Sequence, residues 1–234
     1  ILWCLGEAKI SAYDLDHVGI SRDPRANLHK KILFAMSKRP SFSLVRDRLA
    51  NAAKVRDPKS ALVQALALDP RELRAEFHNV EHHRAHLASA FFVSPFPTAL
   101  VVSVDGMGDF VSTMWGEGKG NRIEVGGQIN FPHSLGIFYT GISQWLGFTK
   151  YGDEGKVMGL APYGEPIYLD RMRKIVRLQR DGSFELDLDY FVHHAEGASM
   201  TWDDGEPILG TLYSPRLINL LGTPREPRSA ITRH

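Results

Sequence analysis

A chain of 234 residues with 43% hydrophobic and 24% charged residues has the apolar material for a real core, as one large domain or two small ones. Twenty-eight basic against 27 acidic residues, a formal net charge of +1, give no electrostatic ground for nucleic acid or a membrane surface as a partner. The single cysteine, Cys4, excludes an internal disulfide and fits a reducing, cytoplasmic setting, and no stretch approaches the roughly 18 apolar residues of a bilayer span.

In chain order, the first hundred residues read as mostly helical. The chain opens at Ile1 in what reads as the middle of a helix. His17-Val18-Gly19-Ile20 is a short strand candidate, broken by Asp23-Pro24. Amphipathic stretches follow at about 26–37, 43–54 and 59–68, punctuated by Pro40, Pro58 and Pro70. A helix at about 80–92 opens with a histidine cluster, and its small residues Ala85, Ala88, Ser89 and Ala90 are expected to let a strand pack close.

The texture changes at Pro95–Pro97. Ala99 to Val104 is nearly continuous apolar sequence, which predicts a central strand covered on both faces. Phe110–Trp115 and Arg122–Ile129 read as two further strands, so that about 99–130 is expected to be a three-strand antiparallel meander. Ser134 caps a helix whose apolar positions 135, 138, 142, 145 and 146 keep helical spacing until Gly147. A loop, Tyr151-Gly152-Asp153-Glu154-Gly155-Lys156, precedes a helix at about 167–178 and a strand near 183–188. The last forty residues are ambiguous and end in a polar tail after Pro224-Arg225-Glu226-Pro227, and the whole reads as a fragment of something larger. It shows no internal repeat.

His82-His83-Arg84-Ala85-His86 carries the chemistry. On a helix His82 and His86 stand one turn apart, about 6 Å along the axis and on one face. Two imidazoles at that spacing can share a cation, and Asp105, closing the apolar run, offers a carboxylate to complete the set. A carboxylate at the end of a buried strand must be satisfied by pairing, hydrogen bonds or a metal. His83 points about 100° away and reads as a supporting or exposed residue. Asp105-Gly106-Met107-Gly108-Asp109 is either a hairpin turn or a place where backbone N–H groups meet a phosphate. It is not a dinucleotide fingerprint, because Val111 stands where a third glycine is needed. The 151–156 loop is either solvated surface or a site where Lys156 balances a phosphate and Glu154 meets a ribose hydroxyl or a second ion.

Glu81-His82-His83-Arg84-Ala85-His86-Leu87-Ala88-Ser89-Ala90, Val104-Asp105-Gly106-Met107-Gly108-Asp109 and Glu154-Gly155-Lys156-Val157-Met158-Gly159-Leu160-Ala161-Pro162 together resemble the carbamoyltransferases of nodulation-factor and antibiotic biosynthesis. Asp16-His17-Val18, Ser21-Arg22-Asp23-Pro24 and Pro132-His133-Ser134-Leu135-Gly136 are similar to that family as well. The resemblance implies an α/β, actin/Hsp70-like (ribonuclease H-like) ATPase fold of two lobes, with 1–94 the helical remainder of the first and 95–234 the start of the second. It implies an enzyme that passes a carbamoyl group from carbamoyl phosphate, through carbamoyl-adenylate made with ATP, to a hydroxyl of a sugar- or antibiotic-like acceptor. His82, His86 and Asp105 would bind iron(II) or another divalent ion such as magnesium, zinc or manganese. Gly106, Gly108 and Asp109 would line the phosphate side, and Gly136, Tyr139, Glu154, Gly155 and Lys156 would approach the nucleotide. The family's opening strands would precede Ile1, and a YrdC-like domain would follow His234, so residues 1–234 alone are not expected to turn over. The rival readings are a hydrogenase-maturation type of carbamoyl transfer and a non-catalytic nucleotide-binding domain of the same fold.

Overall fold

The computed structural model describes residues 1–38, 57–198, 200–203 and 206–231. The amphipathic stretch expected at 43–54 lies outside them. The fold is mixed α/β, and among the described residues no helix is long and apolar enough to cross a membrane.

A helix, α1 (Leu2–Ala8), leads to β1 (His17–Ile20), and α2 (Leu28–Lys38) and α3 (Pro58–Leu66) follow. β1 then pairs in parallel with β2 (Glu76–Asn79), His17 facing Glu76 and Gly19 facing His78. β2 was not foreseen: Glu-Phe-His-Asn is too short and too polar to signal a strand by pattern, and it exists by pairing with β1.

β2 runs straight into α4 (His82–Phe91), whose first turn is capped by the Glu81 carboxylate accepting from the Arg84 N–H at 2.8 Å. The buried side chains of α4 are His83, Leu87 and Phe91, one line at a spacing of four. Leu87 and Phe91 pack with Val101, Val111 and Met114 in a core cluster, where each large apolar side chain contributes about 1.5–3 kcal/mol. Of the small helical residues, Ala85 and Ala88 are half-buried and Ser89 and Ala90 are exposed. A strand glycine also permits the close approach: a Cβ at Gly118 would lie 2.6 Å from the Phe91 ring.

The meander is as expected: β3 (Thr98–Gly108), β4 (Val111–Lys119) and β5 (Arg122–Asn130), antiparallel, in sequential order. β3, however, is not its central strand. β4 is, while β3 forms an edge among the described residues, with Leu100, Val102 and Val104 exposed at 75%, 54% and 53%. An unbroken apolar run signals two apolar faces. The described residues cover only one of them, the face of Val101 and Ser103.

Ser134 caps α5 (Leu135–Trp145) by accepting the Ile137 N–H at 3.1 Å, and its hydroxyl donates to the Gly106 carbonyl at 2.6 Å, tying the helix start to the end of β3. Glu154, Gly155 and Lys156 are not loop but the first turn of α6 (Glu154–Leu160). The helix expected over 167–178 is shorter, α7 (Leu169–Ile175), because its last three residues turn into β6 (Val176–Leu178), a hairpin partner of β7 (Phe184–Leu186). A second hairpin, β8 (Met200–Asp203) with β9 (Glu206–Leu209), and α8 (Pro215–Leu221) occupy the stretch left ambiguous by pattern. A second core cluster gathers Ile137, Ile142 and Trp145 of α5 with Ile175, Leu186, Phe191, Leu212 and Leu217.

Candidate metal centre

Two elements place three candidate ligands. α4 supplies His82 and His86 one turn apart, and β3 brings Asp105 against them. His82 Nε2 lies 2.9 Å from Asp105 Oδ2, His86 Nε2 lies 3.6 Å from the same oxygen, and the two Nε2 atoms are 3.0 Å apart. One donor atom from each residue therefore falls within 4.8 Å of the others. The side chains are part-exposed, at 26%, 48% and 42% for His82, His86 and Asp105, so the cluster opens to one side.

His82 has an acceptor at each ring nitrogen: Nδ1 lies 3.3 Å from the Ser21 carbonyl and Nε2 lies 2.9 Å from Asp105 Oδ2. A neutral ring donates to one of them and a protonated ring to both, while a cation held at Nε2 leaves the proton on Nδ1, facing Ser21. Orienting one imidazole nitrogen through a hydrogen bond to the other is how proteins present histidine to a metal. The second Asp105 oxygen, Oδ1, accepts from its neighbour's amide, Gly106 N–H, at 2.6 Å. Burial pushes the Asp105 carboxyl up, but the His82 and Gly106 hydrogen bonds, with the charge of the two imidazoles, outweigh it and hold the group below the ordinary carboxylate value. The donor set, two nitrogens and a carboxylate oxygen with an open side, suits a divalent ion of iron, zinc or manganese character.

His83 is a supporting residue, fully buried rather than exposed. Its Nε2–H donates to the Val111 carbonyl at 3.0 Å, and Nδ1 accepts from the Ser103 hydroxyl at 2.8 Å. Burial pushes its pKa down, so the ring is neutral. This bond pair pins α4 to β3 and β4 directly beneath the two ligands. The signal was present in the chain: His83, Leu87 and Phe91 repeat at a spacing of four.

The glycine segment holds the centre together from below. A Cβ on Gly108 would fall 2.1 Å from His82 Cγ and Cδ2, so only glycine lets this ring lie over the strand. The hairpin turn is at Asp109–Phe110, not Asp105–Gly106. Both turn residues have positive φ, 49° and 76°, conformations that favour glycine or asparagine. The strain is held by contacts. Asp109 Oδ2 accepts from the His82 N–H at 3.0 Å and the Asp23 N–H at 2.7 Å, and Asn27 Nδ2 donates to the Asp109 carbonyl at 3.1 Å. Phe110 is buried against the Phe34 and Phe131 rings. Asp109 thus joins the start of α4, the 21–24 loop and the hairpin. Sequence reasoning missed this, and missed Ser21, whose part is played by a main-chain carbonyl that carries no side-chain signal.

The remaining expected residues sit on α5 and α6. Gly136 lies against β3, where a Cβ would fall 2.6 Å from Gly106 N and 2.8 Å from the Asp105 carbonyl carbon. Tyr139 donates to the Glu154 carbonyl at 3.2 Å, and the Glu154 carboxylate accepts from Thr140 at 2.6 Å. Gly155 has open space where a Cβ would be. Lys156 is paired with the buried Asp153 at 2.6 Å. Gly136, Gly108 and Asp109 are therefore gathered around the three candidate ligands, while Tyr139 is tied to Glu154, and Glu154, Gly155 and Lys156 share the first turn of α6.

A family model described as carbamoyltransferase N-terminus matches residues 1–205. Among curated proteins, the Synechocystis sp. protein sll1178 is 35% identical over 240 residues, covering 99% of this chain and 37% of that protein. The nodulation protein NolO of Bradyrhizobium diazoefficiens is 40% identical over 47% of this chain and 20% of its own length, and NolNO of Sinorhizobium fredii is 37% identical over 47% and 16%. The chain thus spans 37% or less of the length of these relatives. With its paired histidines, the following strand aspartate and a family match over most of its length, the chain belongs to the carbamoyltransferase N-terminus family.

Proposed function

We propose that this chain is part of an ATP-dependent O-carbamoyltransferase in which His82, His86 and Asp105 hold the divalent ion of the reaction centre. The observation that carries the reading is the convergence of three donor atoms from two elements: His82 Nε2 and His86 Nε2 are 3.0 Å apart and lie 2.9 Å and 3.6 Å from Asp105 Oδ2. A bound divalent ion would supply Lewis-acid polarisation of a carbamoyl or phosphoryl oxygen.

The chain's own groups do the positioning. The Ser21 carbonyl faces His82 Nδ1, Gly106 N–H binds the second Asp105 oxygen, and the His83 bonds fix the height of α4 over the strand. A Cβ at Gly106 would meet nothing within 4 Å, so the strand is open on that side, while the Gly106 N–H and carbonyl are taken up by Asp105 and Ser134. Tyr139, Glu154, Gly155 and Lys156 offer hydroxyl, carboxylate and ammonium groups at the α5–α6 junction for a nucleotide. In this reading residues 1–94 and 95–234 belong to the two lobes of an actin-like fold. The carbamoyl group passes from carbamoyl-adenylate to an acceptor hydroxyl with AMP leaving, and a YrdC-like domain in the longer protein makes the adenylate from carbamoyl phosphate and ATP. Family membership and the two-histidine, one-carboxylate set support it.

The test is metal analysis joined to activity. H82A/H86A and D105N are expected to lose one equivalent of divalent ion per chain, with carbamoyl transfer to a hydroxyl acceptor abolished in the longer protein. Unchanged metal content in both variants would overturn the assignment.

A further inference from the structure

The parallel pair β1–β2 carries a second cluster of ligating groups at the other end of the segment that leads into α4. In the register of this pair His17 faces Glu76 and Gly19 faces His78. Side chains two apart on a strand share a face, and paired positions of parallel strands point the same way. His17, Glu76 and His78 therefore project from one side, and the fourth position on that side is Gly19. A Cβ at Gly19 would meet nothing within 4 Å, so the His78 ring has room to lean across toward His17.

His17 Nδ1 and His78 Nε2 are 2.9 Å apart, with Glu76 Oε2 at 3.8 Å and 4.0 Å from them. One ligand atom from each residue lies within 4.8 Å of the others, the same compactness as in the His82 centre. The side chains are 66%, 70% and 43% exposed for His17, Glu76 and His78, so solvent can complete a coordination sphere. With metal–nitrogen bonds of about 2.0–2.1 Å, tetrahedral geometry needs nitrogens about 3.3 Å apart, an opening of a few tenths of an ångström here.

We infer that His17, Glu76 and His78 form a second metal site, open to solvent, for a borderline divalent transition ion such as zinc. Two imidazoles and one carboxylate select that class over magnesium or calcium, which take oxygen ligands. The site differs from the His82 centre in role. Its ligands come from two paired strands far apart in the chain, so the ion clips β1 to β2 and its binding free energy adds to the stability of the folded pair. A two-stranded sheet has little packing of its own, which makes such a clip effective.

The experiment titrates zinc chloride into the protein against a chromophoric chelator and follows thermal unfolding with and without zinc. H82A/H86A removes the first centre and is expected to keep one equivalent of zinc and a zinc-dependent rise in Tm. H17A/H78A, made at exposed positions, is expected to fold normally by circular dichroism and to bind one equivalent fewer than wild type. Combining all four substitutions should abolish stoichiometric binding. The inference is overturned if H82A/H86A binds no zinc, or if H17A/H78A binds as much as wild type. Failure of the His82 centre alone would show instead as no zinc in H17A/H78A with one equivalent retained in H82A/H86A, so the two assignments fail separately. Should H82A/H86A not fold, the wild-type and H17A/H78A stoichiometries still decide the matter.

Discussion

The His82 ring rests on Gly108 with no space for a methyl group between them: a Cβ at 108 would sit 2.1 Å from His82 Cγ and Cδ2. The candidate ligand is thus positioned by the absence of a side chain on the facing strand. G108A is expected to push the ring off its place, lowering affinity for the divalent ion at this centre while costing about 1–3 kcal/mol of stability, the usual range for overpacking. Metal stoichiometry and denaturant unfolding on the same preparation check it. A G108A protein with wild-type metal affinity would show that the ring tolerates displacement.

His83 lies under both ligands and is expected to matter for stability. H83L leaves the Val111 carbonyl and the Ser103 hydroxyl without their ring partner in a buried place. Each orphaned group costs about 1–3 kcal/mol, so a total loss of several kcal/mol is expected in urea unfolding. S103A removes only one of the two bonds and should cost less.

Asp109 holds two positive-φ residues and three chain segments in place. D109A removes the acceptor of both the His82 and Asp23 amides. The expected result is a loss of about 2–3 kcal/mol, since both bonds end on a charged group, with weaker metal binding at His82. D109N keeps one carbonyl acceptor and should recover part of the loss. Equal stability of wild type and D109A would remove this bridging role.

The Asp153–Lys156 pair gives a pH dependence with a definite sign. Burial pushes the Asp153 carboxyl up, but hydrogen bonds from the Lys156 ammonium and the Lys150 N–H prevail and hold it below the ordinary 3.8. A folded-state value below the unfolded one contributes stability that is present above the unfolded value and lost as pH falls through the folded one. The Tm gap between wild type and D153N is therefore expected to be full from about pH 5 to 8 and to close below about pH 4. A gap that widened on acidification would contradict the pairing.

Much of this molecule was legible in its residues, and the parts that were not share a cause. The one-turn spacing of His82 and His86, the Ser134 cap, the Gly147 stop and the three strands of the meander are local patterns, set by the 3.6- and 2-residue periods and by cap chemistry, and pattern finds them. Family membership was carried by motifs of the same local kind. Tertiary structure decided the rest: that β2 exists at all, that β4 rather than β3 is central, and that Asp109 turns inward to hold the helix start. Each of these depends on main-chain partners or on a missing Cβ far away in the chain. A carbonyl such as Ser21's is identical in every residue and a glycine contact is defined by what is absent, so neither leaves a mark until the chain has folded.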